Sequence, residues 1–122
     1  MSKSITGEEM QKIVADVAGK LPGATCTQPF GPEYDVFKVR GKVFAMTTEV
    51  PGKKIVTLKC DPDRAIILRE VHETVTAGYH MNKRHWISIA AGGGITRALV
   101  TELVQDAYTL IVASLPNTLR LG

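Results

Sequence analysis

The residues Gly78-Tyr79-His80-Met81-Asn82-Lys83-Arg84-His85-Trp86 hold two His, one Lys, one Arg, one Tyr and the single Trp of the chain. A segment that only joined two elements would be rich in Gly, Pro, Ser and Asp. This one offers aromatic faces, hydrogen-bond donors and positive charge, the groups that meet anions and stacked rings. His80 and His85 are the acid/base candidates, with Tyr79 and Lys83 near in sequence. No Ser-His-Asp arrangement, paired carboxylates or metal-ligand cluster accompanies them, so the pattern points away from an enzyme and implies no cofactor. Two His in a loop are more often structural hydrogen-bonders. Trp86, followed by Ile87-Ser88-Ile89, reads as the start of a strand and a core residue. Lys83, Arg84 and His85 cannot all be buried, because unpaired buried charge is costly.

The second chemical feature is charge. The chain has 122 residues, a net charge of +3 and a pI of about 9.0. Residues 38 to 59 hold six basic residues, Lys38, Arg40, Lys42, Lys53, Lys54 and Lys59, against one acid, Glu49. The flanking segments are acidic before and neutral after. Positive charge is thus concentrated mid-chain, an electrostatic footprint for a polyanion. A solvated sheet face would carry a similar pattern.

The elements that must position these residues follow from periodicity. Thr6 and Glu9 fit a capping box, and Met10, Ile13, Val14, Val17 and Leu21 recur at helical spacing until Pro22-Gly23. Ala24 to Gln28 predicts a short edge strand, and Tyr34 to Val39 a second strand. Arg40-Gly41 predicts a two-residue hairpin turn, and Lys42 to Thr48 the returning strand. That register places Phe37, Val39, Phe44 and Met46 on one face, and Val36, Lys38, Val43 and Ala45 on the other. Pro51-Gly52 turns the chain into a strand over Ile55 to Cys60. Asp61-Pro62 caps a helix running to about Glu73. A strand from Trp86 to Ala90 follows the nine-residue loop. Gly92-Gly93-Gly94 is a turn and lacks the Lys-Ser/Thr of a phosphate loop. Thr96 caps a last helix with an apolar stripe from Leu99 to Ile111, ending near Pro116.

The order is α-β-β-β-β-α-β-α in one domain, residues 1 to 122. It predicts an α+β fold: one antiparallel sheet of about five strands with the terminal helices on one face. The other face is expected to be partly open, with the middle helix at an edge. No apolar run approaches the roughly 20 residues of a membrane span, and the start lacks a signal-peptide pattern. A cytoplasmic protein with no membrane partner is the expectation. Cys26 and Cys60 form no CxxC pair and are expected as thiols.

The nine-residue block, preceded by Leu58-Lys59-Cys60-Asp61-Pro62, resembles the signature of the MmcQ/YjbR family of small bacterial proteins. The hairpin Val36-Phe37-Lys38-Val39 to Val43-Phe44-Ala45 and the final Tyr108 to Leu115 helix resemble it too. The chain departs from the family's usual residues at Ala77, Ile87 and Ala91. The resemblance implies a CyaY-like fold and a family often labelled DNA-binding for its double-wing shape. On that basis Lys38, Arg40, Lys42, Lys53, Lys54 and Lys59 would meet phosphates of duplex DNA, joined by Tyr79, His80, Asn82, Lys83, Arg84 and His85. The alternative is a protein- or peptide-binding module resembling secretion chaperones, recognised by exposed aromatics beside an open sheet face.

Overall fold

The structure is a computed structural model, and it describes residues 4–29, 31, 34–50, 52–78 and 84–116. Helix α1 (Gly7–Gly19) begins at a capping box. The Glu9 amide donates to the Thr6 hydroxyl, and the Thr6 amide donates to the Glu9 carboxylate. Strands β1 (Ala24–Thr27), β2 (Asp35–Val39), β3 (Lys42–Val50) and β4 (Lys53–Lys59) form an antiparallel meander. Helix α2 (Pro62–Val71) follows, capped by the Asp61 carboxylate, which accepts from the amides of Asp63 and Arg64. Strands β5 (Val75–Ala77) and β6 (Trp86–Ala90) and helix α3 (Arg97–Ser114) complete the chain. The sheet has six strands in the order β1-β2-β3-β4-β6-β5.

The three-residue β5 is the strand that periodicity did not reveal. Val75-Thr76-Ala77 is too short to show an alternation. It exists because β6 offers it a free edge, pairing Val75 with Ile89 and Ala77 with Ile87.

The Arg40-Gly41 turn forms as expected. Both residues adopt positive φ, 51° and 82°, the geometry that matches hairpin twist. The expected facing of the hairpin is corrected, however. The register shifts between Phe37 and Lys38, so Phe37 opposes Ala45 and Val36 opposes Met46. One extra residue in β3 turns both Phe44 and Ala45 toward the core and sends Met46 to the other side.

One core lies on one side of the sheet. Phe37, Ala45, Val56, Leu58, Ile87 and Ile89 pack there with Met10, Ile13 and Val14 of α1, Leu68 of α2, and Val100, Leu103 and Val104 of α3. Both terminal helices therefore cover the same face, and α1 packs directly on α3. Polar ties fix the layers. The Gln11 side-chain amide donates to the carbonyls of Thr48 (2.8 Å) and Ile55 (3.0 Å). The Tyr108 ring meets Phe44 edge-on at 5.5 Å, and its hydroxyl donates to the Pro22 carbonyl.

The opposite face carries no helix among the described residues. Across its middle runs a row formed by Val36, Met46, Thr57, Ser88 and Thr76, each paired with the next. Val36, Thr57 and Ser88 in this row are buried, and the hydroxyls of Thr57 and Ser88 bond each other at 2.9 Å. Thr76 in the same row is exposed and Met46 half-buried, so that face is partly open. Among the described residues no helix is long and apolar enough to cross a membrane.

Candidate nucleic-acid interface

The basic residues of the meander are sorted by the sheet into two groups. A meander places successive hairpin turns at opposite ends, and six residues of β4 separate Lys59 from Lys53, about 20 Å. Lys38, Arg40, Lys42 and Lys59 gather at the end marked by the β2–β3 turn. Lys53 and Lys54 stand at the other end, beside the β3–β4 turn.

At the first end the geometry is specific. Lys38 opposes Val43, and Lys59 opposes Trp86, all four on the face without helices. Lys38 and Lys59 are two strands apart, about 10 Å. The Lys59 ammonium sits 5.7 Å from the Trp86 ring centroid, a cation–π contact that holds the charge on this face. Arg40 and Lys42 are exposed at the turn. Trp86 is only 8% exposed, so its ring serves as support and is closed to base stacking.

The neck of the nine-residue loop is fastened to the same end. The Gly78 amide donates to the Trp86 carbonyl at 2.8 Å, and the Cys60 amide donates to the His85 carbonyl at 2.8 Å. A Cβ at position 78 would lie 2.5 Å from the Trp86 Cβ, so only glycine lets the two chains approach this closely. His85 is half-buried and Arg84 exposed, beside Cys60 and Lys59. Tyr79, His80, Asn82 and Lys83 lie outside the described residues.

At the second end the charges are tempered. Lys54 pairs with Glu49 across β3 and β4 at 3.4 Å, both side chains substantially exposed. Lys53 borders a hollow of about 380 Å³ shared with Glu73, Thr74 and Ser88. The six mid-chain cations are therefore divided between the two ends of the sheet.

Sequence reasoning passed over Arg64. It reaches from α2 to α3, bonding Asp106 and pairing with Glu102 at 3.1 Å. Its signal in the sequence is weak, because its partners lie about forty residues away. Beside it, Cys60 is buried and Cys26 exposed, and both are free thiols. They stand three strands apart, about 14 Å, beyond disulfide reach. Burial pushes the Cys60 thiol above its ordinary value, with Arg64 pulling the other way. Among the described residues no cluster of His, Cys, Asp and Glu could hold a metal ion.

The sequence model of the YjbR family matches residues 19–110. This chain belongs to the YjbR family. The uncharacterised protein YbdF of Escherichia coli O157:H7 is 37% identical over 108 residues, 88% of each chain. The uncharacterised protein YjbR of Escherichia coli K12 is 35% identical over 83 residues, 68% of this chain and 70% of its own. A crystal structure of a Deinococcus radiodurans protein superimposes with a TM-score of 0.78 at 30% identity, covering 87% of this chain and 81% of that one. The YjbR match begins at the end of α1 and runs into α3, so the meander, α2 and the fastened loop neck all fall within the shared region.

Proposed function

We propose that this YjbR-family protein binds the phosphate backbone of duplex DNA through the β2–β3 end of its sheet. The observation that carries the reading is the gathering of Lys38, Arg40, Lys42 and Lys59 at one end, beside Arg84. Phosphate contacts supply affinity without sequence information, and flexible lysines on a rigid sheet suit that task. One hairpin, Arg40-Gly41, acts as the projecting wing. Lys53 and Lys54 lie too far along the strands to join it. A peptide-holding sheet face fits less well, because that face presents Lys38, Lys53 and Lys59 and encloses the Trp86 ring.

The test is fluorescence anisotropy of labelled duplex at several salt concentrations. Binding is expected to be weak and largely independent of sequence. Its slope in log K against log salt should be roughly −2 to −4, given about −0.9 per neutralised phosphate. Arg40→Ala should weaken binding evenly across sequences and reduce the slope by about one. No binding at low salt, or binding indifferent to both salt and Arg40→Ala, rejects the reading.

A further inference from the structure

Helix α2 is apolar on two sides. Ala65 and Leu68 point into the core. Ile66, Ile67 and Val71 point outward, with 48%, 57% and 68% of their surface exposed, and they are the large exposed hydrophobics among the described residues. Helix formation alone does not select them, since β-branched residues are poorer helix formers than Lys, Glu or Gln. A surface helix ordinarily turns polar residues to water on this side. An exposed apolar strip on such a helix marks a surface made to be covered.

Carboxylates are interleaved with these apolar groups. Asp63, Ile67 and Val71 stand one turn apart along one ridge, and Ile66 and Glu70 along the next, so Asp63 and Glu70 fall between Ile66 and Ile67 on the outer face. Asp61 precedes the helix. The two cations of α2 do not offset these carboxylates. Arg64 is turned to α3, where Asp106 and Glu102 neutralise it. Arg69 is half-buried, with its Nη1 atom enclosed. The result is an exposed face that mixes apolar and acidic groups, on a chain whose net charge is +3.

We propose that the outer face of α2 docks a basic amphipathic helix of a protein partner. Asp63 to Val71 spans about 12 Å, two helical turns, the length that receives apolar anchors at i, i+3 or i+4, and i+7. Lysines or arginines beside those anchors would meet Asp63 and Glu70. A second copy of this chain is the poorer occupant. A two-fold contact through α2 would set its carboxylates against one another. The proposal is independent of the DNA reading, which uses the sheet end and none of these side chains.

The probe is a labelled amphipathic peptide of about 18 residues built from Leu and Lys, with a Leu/Glu peptide of the same pattern as its control. Anisotropy titrations use the full chain. The Leu/Lys peptide should bind and the Leu/Glu peptide should not. Ile66→Ser with Ile67→Ser should weaken the Leu/Lys peptide at least about tenfold. Asp63→Lys with Glu70→Lys should weaken it as well and admit the Leu/Glu peptide. These four side chains point to water, so melting curves should show both variants folded, and each variant tests the strip without the other. Absence of Leu/Lys binding, or equal binding by the original chain and both variants, overturns the proposal. So does sedimentation of the original chain as a dimer that Ile66→Ser with Ile67→Ser converts to monomer, which would give the strip to self-association.

Discussion

Gly78 fixes the described neck of the nine-residue block. Its amide closes the neck on Trp86, and the backbones approach so closely that a methyl group has no room. Gly78→Ala should therefore cost about 1–3 kcal/mol, the range for overpacking a tight site. Urea denaturation measures this, and an unchanged midpoint would show that the neck yields freely. Cys60 makes a second prediction at this scale. Burial raises its thiol pKa above the ordinary 9.0. The unfolded chain then releases the thiol proton first, so the folded state holds more protons in that range. Stability contributed by the neutral thiol is complete below pH 9 and is lost as pH rises through the folded value. The drop in stability between pH 8 and pH 10 should be smaller in Cys60→Ala than in the original chain, as read by denaturant midpoints. Equal drops would remove Cys60 as a contributor.

Helix α2 is held by one bridgehead. Only Ala65 and Leu68 of its ten residues are buried apolar groups. Arg64 adds its link to Asp106 and Glu102 of α3, and the Asp61 cap fixes the first turn. Because these ion-paired side chains are partly exposed, Arg64→Ala should cost only about 1 kcal/mol. Asp106→Ala should cost less, since Arg64 retains Glu102. The double variant should cost less than the two singles together, because both remove one interaction. A thermal-melt cycle tests this, and strict additivity would mean that Arg64 and Asp106 act independently. Weak attachment suits a helix whose outer side is apolar, because a docked partner would then stabilise its position.

At the scale of the whole molecule, the sheet acts as a charge sorter. Its meander sends alternate turns to opposite ends, so residues adjacent in composition become separated in space. Lys42 and Lys54 belong to one basic segment, yet the strands place them on different ends. If the sheet end binds duplex DNA as proposed, Lys42→Ala should lower the salt slope by about one, while Lys54→Ala, already paired with Glu49, should leave it unchanged. Equal effects of the two in the same anisotropy titration would return the interface to the full meander.

The sequence by itself determined every element but β5, and the family. The Thr6/Glu9 capping box, the Asp61-Pro62 start, the Arg40-Gly41 turn and the Leu99 to Ile111 stripe are local patterns, set by hydrogen-bonding groups and periodicity within a few residues. The block from Gly78 to Trp86 was enough to resemble the right family. Tertiary structure alone decided what depends on pairing between distant segments. The bulge that turns Ala45 inward and Met46 outward arises where β2 and β3 meet, and no alternation within β3 encodes it. Strand β5 exists because β6 offers an edge. The separation of Lys53 and Lys54 from Lys38, Arg40, Lys42 and Lys59 follows from strand direction, which charge counting ignores. The exposed side of α2 was equally hidden. Ile66, Ile67, Leu68 and Val71 look alike in sequence, and only the position of α3 and the sheet determines which of them faces water.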